Sequence, residues 1–234
     1  MNRGPGLCPQ DQKVLPRMTL LTPPRLAGTP APVLGHIAER WSPRAFDTDF
    51  TLEEGALRGI FEAARWAPSA SNTQPWRFVI ARRGSEAFGK ITANLMGFNQ
   101  AWAGSASALV VNIAETQTAD GNPQPWAVYD LGQAVAYLSL QAQSEGLHLH
   151  QMGGFDADAI AAAFGLDERH SVISVTAIGR LGAPEQLPEP LAERETAPRT
   201  RLAVDELVLV NDSLTPLAQG CPWATARGRR TVRA

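Results

Sequence analysis

Arg40, Ser42 and Arg44 fall in the run "RWSPRAF", and Arg199, Thr200 and Arg201 fall in "PRTRL" near the other end of the chain. Two guanidinium pairs, each with a hydroxyl alongside, suit a doubly charged phosphate monoester. Arginine grips its oxygens in a bidentate fork, and hydroxyls fill the remaining acceptor positions. Either pair alone is an ordinary surface feature, so the weight rests on what lies between them. Pro68, Ser69, Ala70, Ser71 and Asn72 form a run of small residues that lets backbone approach a flat ligand, with Gln74 and the Pro75-Trp76 pair closing it. Asn72 and Asn99 carry amides that can read a ring bearing both donors and acceptors. Gly153 and Gly154 follow Met152 and precede a helix cap, where bare backbone N–H groups point outward. This set describes a site for a planar heterocycle on a phosphorylated tail.

Other chemistries fare worse. "GSEAFGKI", Gly84 to Ile91, imitates a phosphate loop, but Ile91 stands where a magnesium-binding hydroxyl is needed, so a surface turn is the better reading. No GxGxxG fingerprint is present. His148 and His150 alternate on a strand and share a face, yet no third ligand at workable spacing accompanies them, and no metal site is expected. No Gly-x-Ser-x-Gly elbow exists, and neither Cys8 nor Cys221 sits in a reactive setting. Side chains this poorly equipped for a hard step point to a cofactor.

The elements that must position these residues can be read from pattern. Residues 33–40 form a short amphipathic segment with Val33, Leu34 and Ile37 on one side. A better helix follows, with Thr51 and Glu54 as a capping box, Leu57, Ile60, Phe61 and Ala64 at helical spacing, and Pro68 as its stop. "RFVIA" reads as a strand, residues 85–97 as partly helical, and "ALVVNIA" at 108–114 as a central strand. Asp130 is placed to cap a helix over 131–145 that is apolar on most of its circumference, which predicts deep burial or an interface. "LHLHQM" and "SVISVTAIG" read as strands, Asp156 as the cap of the helix between them, and "ELVLV" at 206–210 as a last short strand. Helices and strands without strict alternation favour a single α+β sandwich with a mixed sheet.

The totals agree with a globular domain. The chain has 234 residues, 44% of them hydrophobic, and a net charge of -2, so no global field draws it to nucleic acid. Residues 1–32 are Pro-rich, with no apolar run of signal or membrane length, and read as a disordered lead-in. Residues 33–210 read as the folded domain and 211–234 as a basic, solvated tail. The expected location is the cytoplasm, with no nucleic-acid or membrane partner.

In order and spacing, "RWSPRAF", "APSASNTQPWRF", "GFNQAW", "QMGGFD…FGL" and "PRTRL" resemble the FMN-dependent nitroreductase family across roughly residues 33–210. The resemblance implies an intertwined homodimer with a three-layer α+β fold, a mixed, mostly antiparallel sheet, and FMN at the dimer interface. It implies that Arg40, Trp41, Ser42, Arg44, Arg199 and Arg201 hold the phosphate end. Pro68 to Asn72 and Gln74 would line the flavin from the partner subunit, and Asn99 would meet the pyrimidine edge or ribityl chain. Met152, Gly153 and Gly154 would bring a backbone N–H to flavin N5, with no side chain acting as catalytic acid or base. NAD(P)H is then the reductant, and nitroaromatics, quinones or similar electron-poor compounds the acceptors. The alternative within the resemblance is an FMN storage or sensor protein without efficient turnover. Many relatives carry Lys or Arg where this chain has Trp102, which implies a lower flavin potential. Trp102, Trp126 and Tyr129 are the bulky candidates for a substrate pocket.

Overall fold

The computed structural model describes residues 25–209. Its sheet has four strands: β1 (Trp76–Arg82), β2 (Ala108–Glu115), β3 (His148–Met152) and β4 (His170–Gly179). Their order is β1-β2-β4-β3, and each neighbouring pair is antiparallel. The expected mixed sheet is therefore corrected: among the described residues no parallel pair occurs. The reason is topological. β2 and β3 run the same way, but β4 inserts between them and opposes both.

Seven α-helices, beside four short 3-10 turns, complete the described chain: α1 (Gly35–Glu39), α2 (Glu54–Arg65), α3 (Glu86–Ala93), α4 (Ala127–Ser144), α5 (Ala157–Phe164), α6 (Leu191–Thr196) and α7 (Val204–Leu207). Alternation along the strands splits the buried residues into two cores. Val110, Leu149 and Ile178 face Leu57, Ile60, Leu131 and Leu138 of α2 and α4. Leu109, Val111, Val175 and Ala177 face Phe88, Ile91 and Ile160 of α3 and α5. The result is a three-layer α+β sandwich, as the sequence predicts. β2 is buried along nearly its whole length, which explains its apolar run; the one polar residue within that run, Asn112, donates to Ser174 and Thr176 of β4.

The start signals fared unevenly. Asp156 caps α5, its Oδ1 accepting the Ala159 N–H at 2.9 Å. The Thr51–Glu54 capping box does not form; Glu53 occupies the cap position of α2 and makes no side-chain capping bond. "ELVLV" is no strand over its described residues. α7 occupies part of it, and Glu206 accepts the Ala203 N–H at 2.9 Å, satisfying a donor at the helix start. Val33, Leu34 and Ile37 of the first amphipathic segment are exposed rather than packed. The phosphate-loop look-alike is a turn and a helix start: Ser85 caps α3, and Lys90 pairs with Glu86 at 2.9 Å.

α4 is buried on one face through Leu131, Ala134, Val135, Leu138 and Ala142. Its other face leaves Val128, Tyr129 and Tyr137 exposed, beside exposed Trp126. Among the described residues no helix is long and apolar enough to cross a membrane.

Candidate functional site

The two arginine pairs meet in space although more than 150 residues separate them. The chain leaves α1, passes Arg40 to Arg44 and runs beside β3, where the His150 Nδ1–H donates to the Pro43 carbonyl at 2.8 Å. The segment after α6 returns alongside. Arg199 donates to the carbonyl oxygens of Arg25 (2.6 Å), Ala38 (2.8 Å) and Arg40 (2.6 Å). Arg25, which the sequence reading leaves in the lead-in, lies over the half-buried Trp41 ring at 4.3 Å and bonds the carbonyls of Glu195 and Ala197.

The cluster is electrostatically crowded. Burial first, and then the Arg201 charge, push Arg40 below its ordinary value. Burial, Arg40, Arg201 and Arg25 do the same to Arg199. Burial holds His148 and His150 down to about 4, the charges of Arg40 and Arg44 adding to it and the Pro43 bond opposing it at His150. Both imidazoles are therefore neutral at pH 7. Like charges packed this closely call for an anion.

The cations are not equally available. Arg199 spends its guanidinium on three carbonyls, so its work in this chain is to join the ends of the cluster. Arg40 makes one long bond, to Ser42 Oγ at 3.4 Å. Arg44 donates no side-chain hydrogen bond among the described residues and stands 3.6 Å from Glu195 in a loose ion pair.

Asn99 and Gly154 are brought together. The Asn99 amide donates to the Gly154 carbonyl at 3.1 Å, and the Met96 N–H donates to the same oxygen at 3.0 Å. A Cβ on Gly154 would lie 2.9 Å from Asn99 Nδ2, whereas one on Gly153 would meet open space. The Met152 side chain is buried in the core.

The small-residue loop is built with unusual backbone. Ser71, Asn72 and Gln74 have φ of 51°, 57° and 49°, the left-handed region that non-glycine residues rarely enter. Local bonds hold it: the Gln74 N–H donates to Ser69 Oγ at 3.1 Å, and the Gln74 amide to the Asn72 carbonyl at 3.1 Å. Asp130 is the anchor that sequence reasoning missed. It does not cap α4, which begins three residues earlier. It lies 2% exposed in the first turn and accepts the Ala70 N–H at 3.0 Å. A lone carboxylate on the apolar side of that helix was the available signal. Trp126 and Tyr129 stand over the loop and, with Pro68, Ser69, Ala70 and Gln133, line an open depression of about 230 Å³.

Trp102 is not with them, which corrects its assignment to a substrate pocket. It is 3% exposed, stacked on Phe46 at 6.1 Å and tilted against His150 at 4.5 Å. A large aromatic between two others gains more from the core than from a wet cleft.

The two halves do not converge within one chain. The arginine cluster, Asn99 and Gly153 lie along the β3 edge, while the 68–74 loop leads into β1 at the opposite edge. Three interstrand spacings, roughly 14 Å, separate those edges.

A model of the nitroreductase family matches residues 37–180. An uncharacterized 15.4 kDa protein in the ask 5' region of Mycolicibacterium smegmatis is 34% identical over 149 residues, covering 60% of this chain and 99% of that protein. The oxygen-insensitive NAD(P)H nitroreductase of Salmonella typhimurium is 27% identical over 173 residues, covering 56% and 80%. Among solved structures, an oxidoreductase containing FMN superposes with a TM-score of 0.74 at 37% identity, covering 80% of this chain and 95% of that one.

Proposed function

The chain belongs to the nitroreductase family, and from that premise we propose that it is a homodimeric FMN-dependent oxidoreductase, reduced by NAD(P)H and oxidised by nitroaromatics, quinones or similar electron-poor acceptors in two separate half-reactions. The observation that carries this reading is the crowded guanidinium cluster, in which the Arg44 side chain makes no hydrogen bond among the described residues. An anion of two charges on a flat carrier is the ligand such a cluster fits, and the solved relative containing FMN makes that carrier a flavin.

When bound, FMN supplies a ring that takes hydride from a nicotinamide and passes it to a second substrate. The chain's own residues bind and orient. Arg40, Arg44 and Arg201, with the Ser42 hydroxyl, hold the phosphate, and Arg199 keeps the two ends of the cluster together. The Asn99 amide reads the flavin edge, and the open space at Gly153 lets its backbone N–H approach the ring. As fixed dipoles, these donors favour the negative charge that a reduced ring carries, without any reorganisation at the moment of transfer.

A second copy of the chain supplies the loop from Pro68 to Gln74. The separation of the two half-sites across the sheet supports this, as does the exposed apolar face of α4 beside the loop. Trp126 and Tyr129 then form the wall against which a planar acceptor lies.

The test is a visible spectrum of the purified protein, followed by anaerobic addition of NADH and then NADPH. A yellow protein that bleaches, and regains its colour with a quinone or nitroaromatic, is the expected result. A colourless protein that takes up no added FMN refutes the proposal. A yellow protein that neither nucleotide bleaches refutes the reductase part and leaves flavin binding.

A further inference from the structure

We propose that Glu195, which has no place in the reading above, is the positioning residue of the phosphate clamp and acts through Arg44. The inference rests on the proposal that the cluster holds the FMN phosphate. Glu195 is 1% exposed, in α6, and 151 residues from Arg44 in sequence. Its Oε1 accepts the backbone N–H of Arg44 at 2.7 Å and of Ala45 at 3.0 Å. Its Oε2 has no hydrogen-bond partner among the described residues and lies 3.6 Å from Arg44 Nη1.

That arrangement has two effects. One carboxylate oxygen fixes the main chain from which Arg44 projects. The other attracts the guanidinium at a distance too long for a hydrogen bond, so orientation is set by charge while the donors stay uncommitted. A tight pair looks different: a carboxylate and its arginine frequently close a bidentate fork that commits the donors. Arg199 provides the contrast within this molecule, its donors committed to carbonyl oxygens. Glu195 also sits four residues before Arg199, and the Arg25 guanidinium bonds its carbonyl. The same residue thus ties the 40–44 segment to the 199–201 segment. Holding Arg44 ready before the ligand arrives removes an ordering cost from binding.

The experiment compares FMN with riboflavin, which lacks the phosphate, by fluorescence titration of the full-length chain freed of flavin. The ratio of the two dissociation constants isolates the phosphate contribution. In the unaltered protein FMN is expected to bind roughly 100-fold more tightly or better. Arg44→Ala and Glu195→Ala should each cut that ratio by about tenfold or more, with riboflavin binding changed less than about threefold. The double variant should lose no more than Arg44→Ala alone, because the two residues act as one unit.

Equal weakening of both flavins by Glu195→Ala, an unchanged ratio, or losses that multiply in the double variant would overturn the inference. A ratio near one in the unaltered protein would instead sink the phosphate-clamp reading beneath it. If Glu195→Ala does not fold, Glu195→Gln keeps an acceptor for both N–H groups and removes only the charge. Its ratio should fall by about threefold, and a ratio that holds or rises makes Glu195 a bystander or a competitor of the phosphate.

Discussion

Acid should destabilise the flavin-free protein well before its carboxylates protonate, and the cause should be two histidines. His148 and His150 are held down to about 4 by burial, against an ordinary value of 6.5. The native state keeps both neutral, whereas the unfolded chain takes up protons as the pH falls below 6.5. Their contribution is therefore intact above pH 6.5 and is lost progressively as the pH falls toward 4. Integrated from pH 7 to pH 5, a histidine with this shift loses about 2 kcal/mol of stability. His148 is 7% exposed and should give nearly all of that. His150 is only partly buried and should give less, for a total of about 3 kcal/mol. With a urea dependence of about 2–3 kcal/mol per molar for a chain of this size, the midpoint should drop by roughly 1 M between pH 7 and pH 5. The assay is urea unfolding followed by tryptophan fluorescence, at one protein concentration and without flavin. His148→Gln should remove more than half of the drop. An equal midpoint at both pH values, or a His148→Gln variant as acid-sensitive as its parent, would refute the reasoning.

Three further outcomes follow from the site. Asp130→Ala strips the half-buried Ala70 N–H of its acceptor among the described residues; it should cost about 1–2 kcal/mol in unfolding experiments and weaken flavin retention. Gly154→Ala drives a Cβ against the Asn99 amide and should lower the flavin absorbance per protein, while Gly153→Ala, facing open space, should leave the melting temperature unchanged. Arg199→Ala removes three bonds to backbone carbonyls and should lower the melting temperature by roughly 2–10 °C.

Much of the architecture is legible in the sequence because local pattern and burial agree there. β2 is apolar but for Asn112 up to its final Glu115 and is the buried centre of the sheet. α2 keeps helical spacing and packs through Leu57, Ile60 and Ala64. What local pattern cannot carry is partnership over distance. Asp130 looks like a helix cap within its own window, and only the folded chain brings it to Ala70, 60 residues away. Glu195 was invisible for the same reason. Trp102 was misassigned because an aromatic residue near a motif looks equally suited to a cleft or to a core, and its neighbours Phe46 and His150 decide the matter. The β-rich "ELVLV" lost to α7 where a carboxylate beside a helix start outweighed strand propensity. The sheet's strand directions depended on where β4 inserts, which no single segment encodes.

The placement of the two half-sites on opposite edges of the sheet has a genetic corollary. On the dimeric reading, each site draws its clamp from one copy and its loop from the other. Co-expressing a clamp-damaged variant such as Arg40→Ala with a loop-damaged one such as Asp130→Ala gives mixed dimers in which both lesions fall in one site. The other site inherits only sound parts. Random pairing makes half the dimers mixed, so two defective alleles together should restore about a quarter of the normal number of sites, more than either supplies alone.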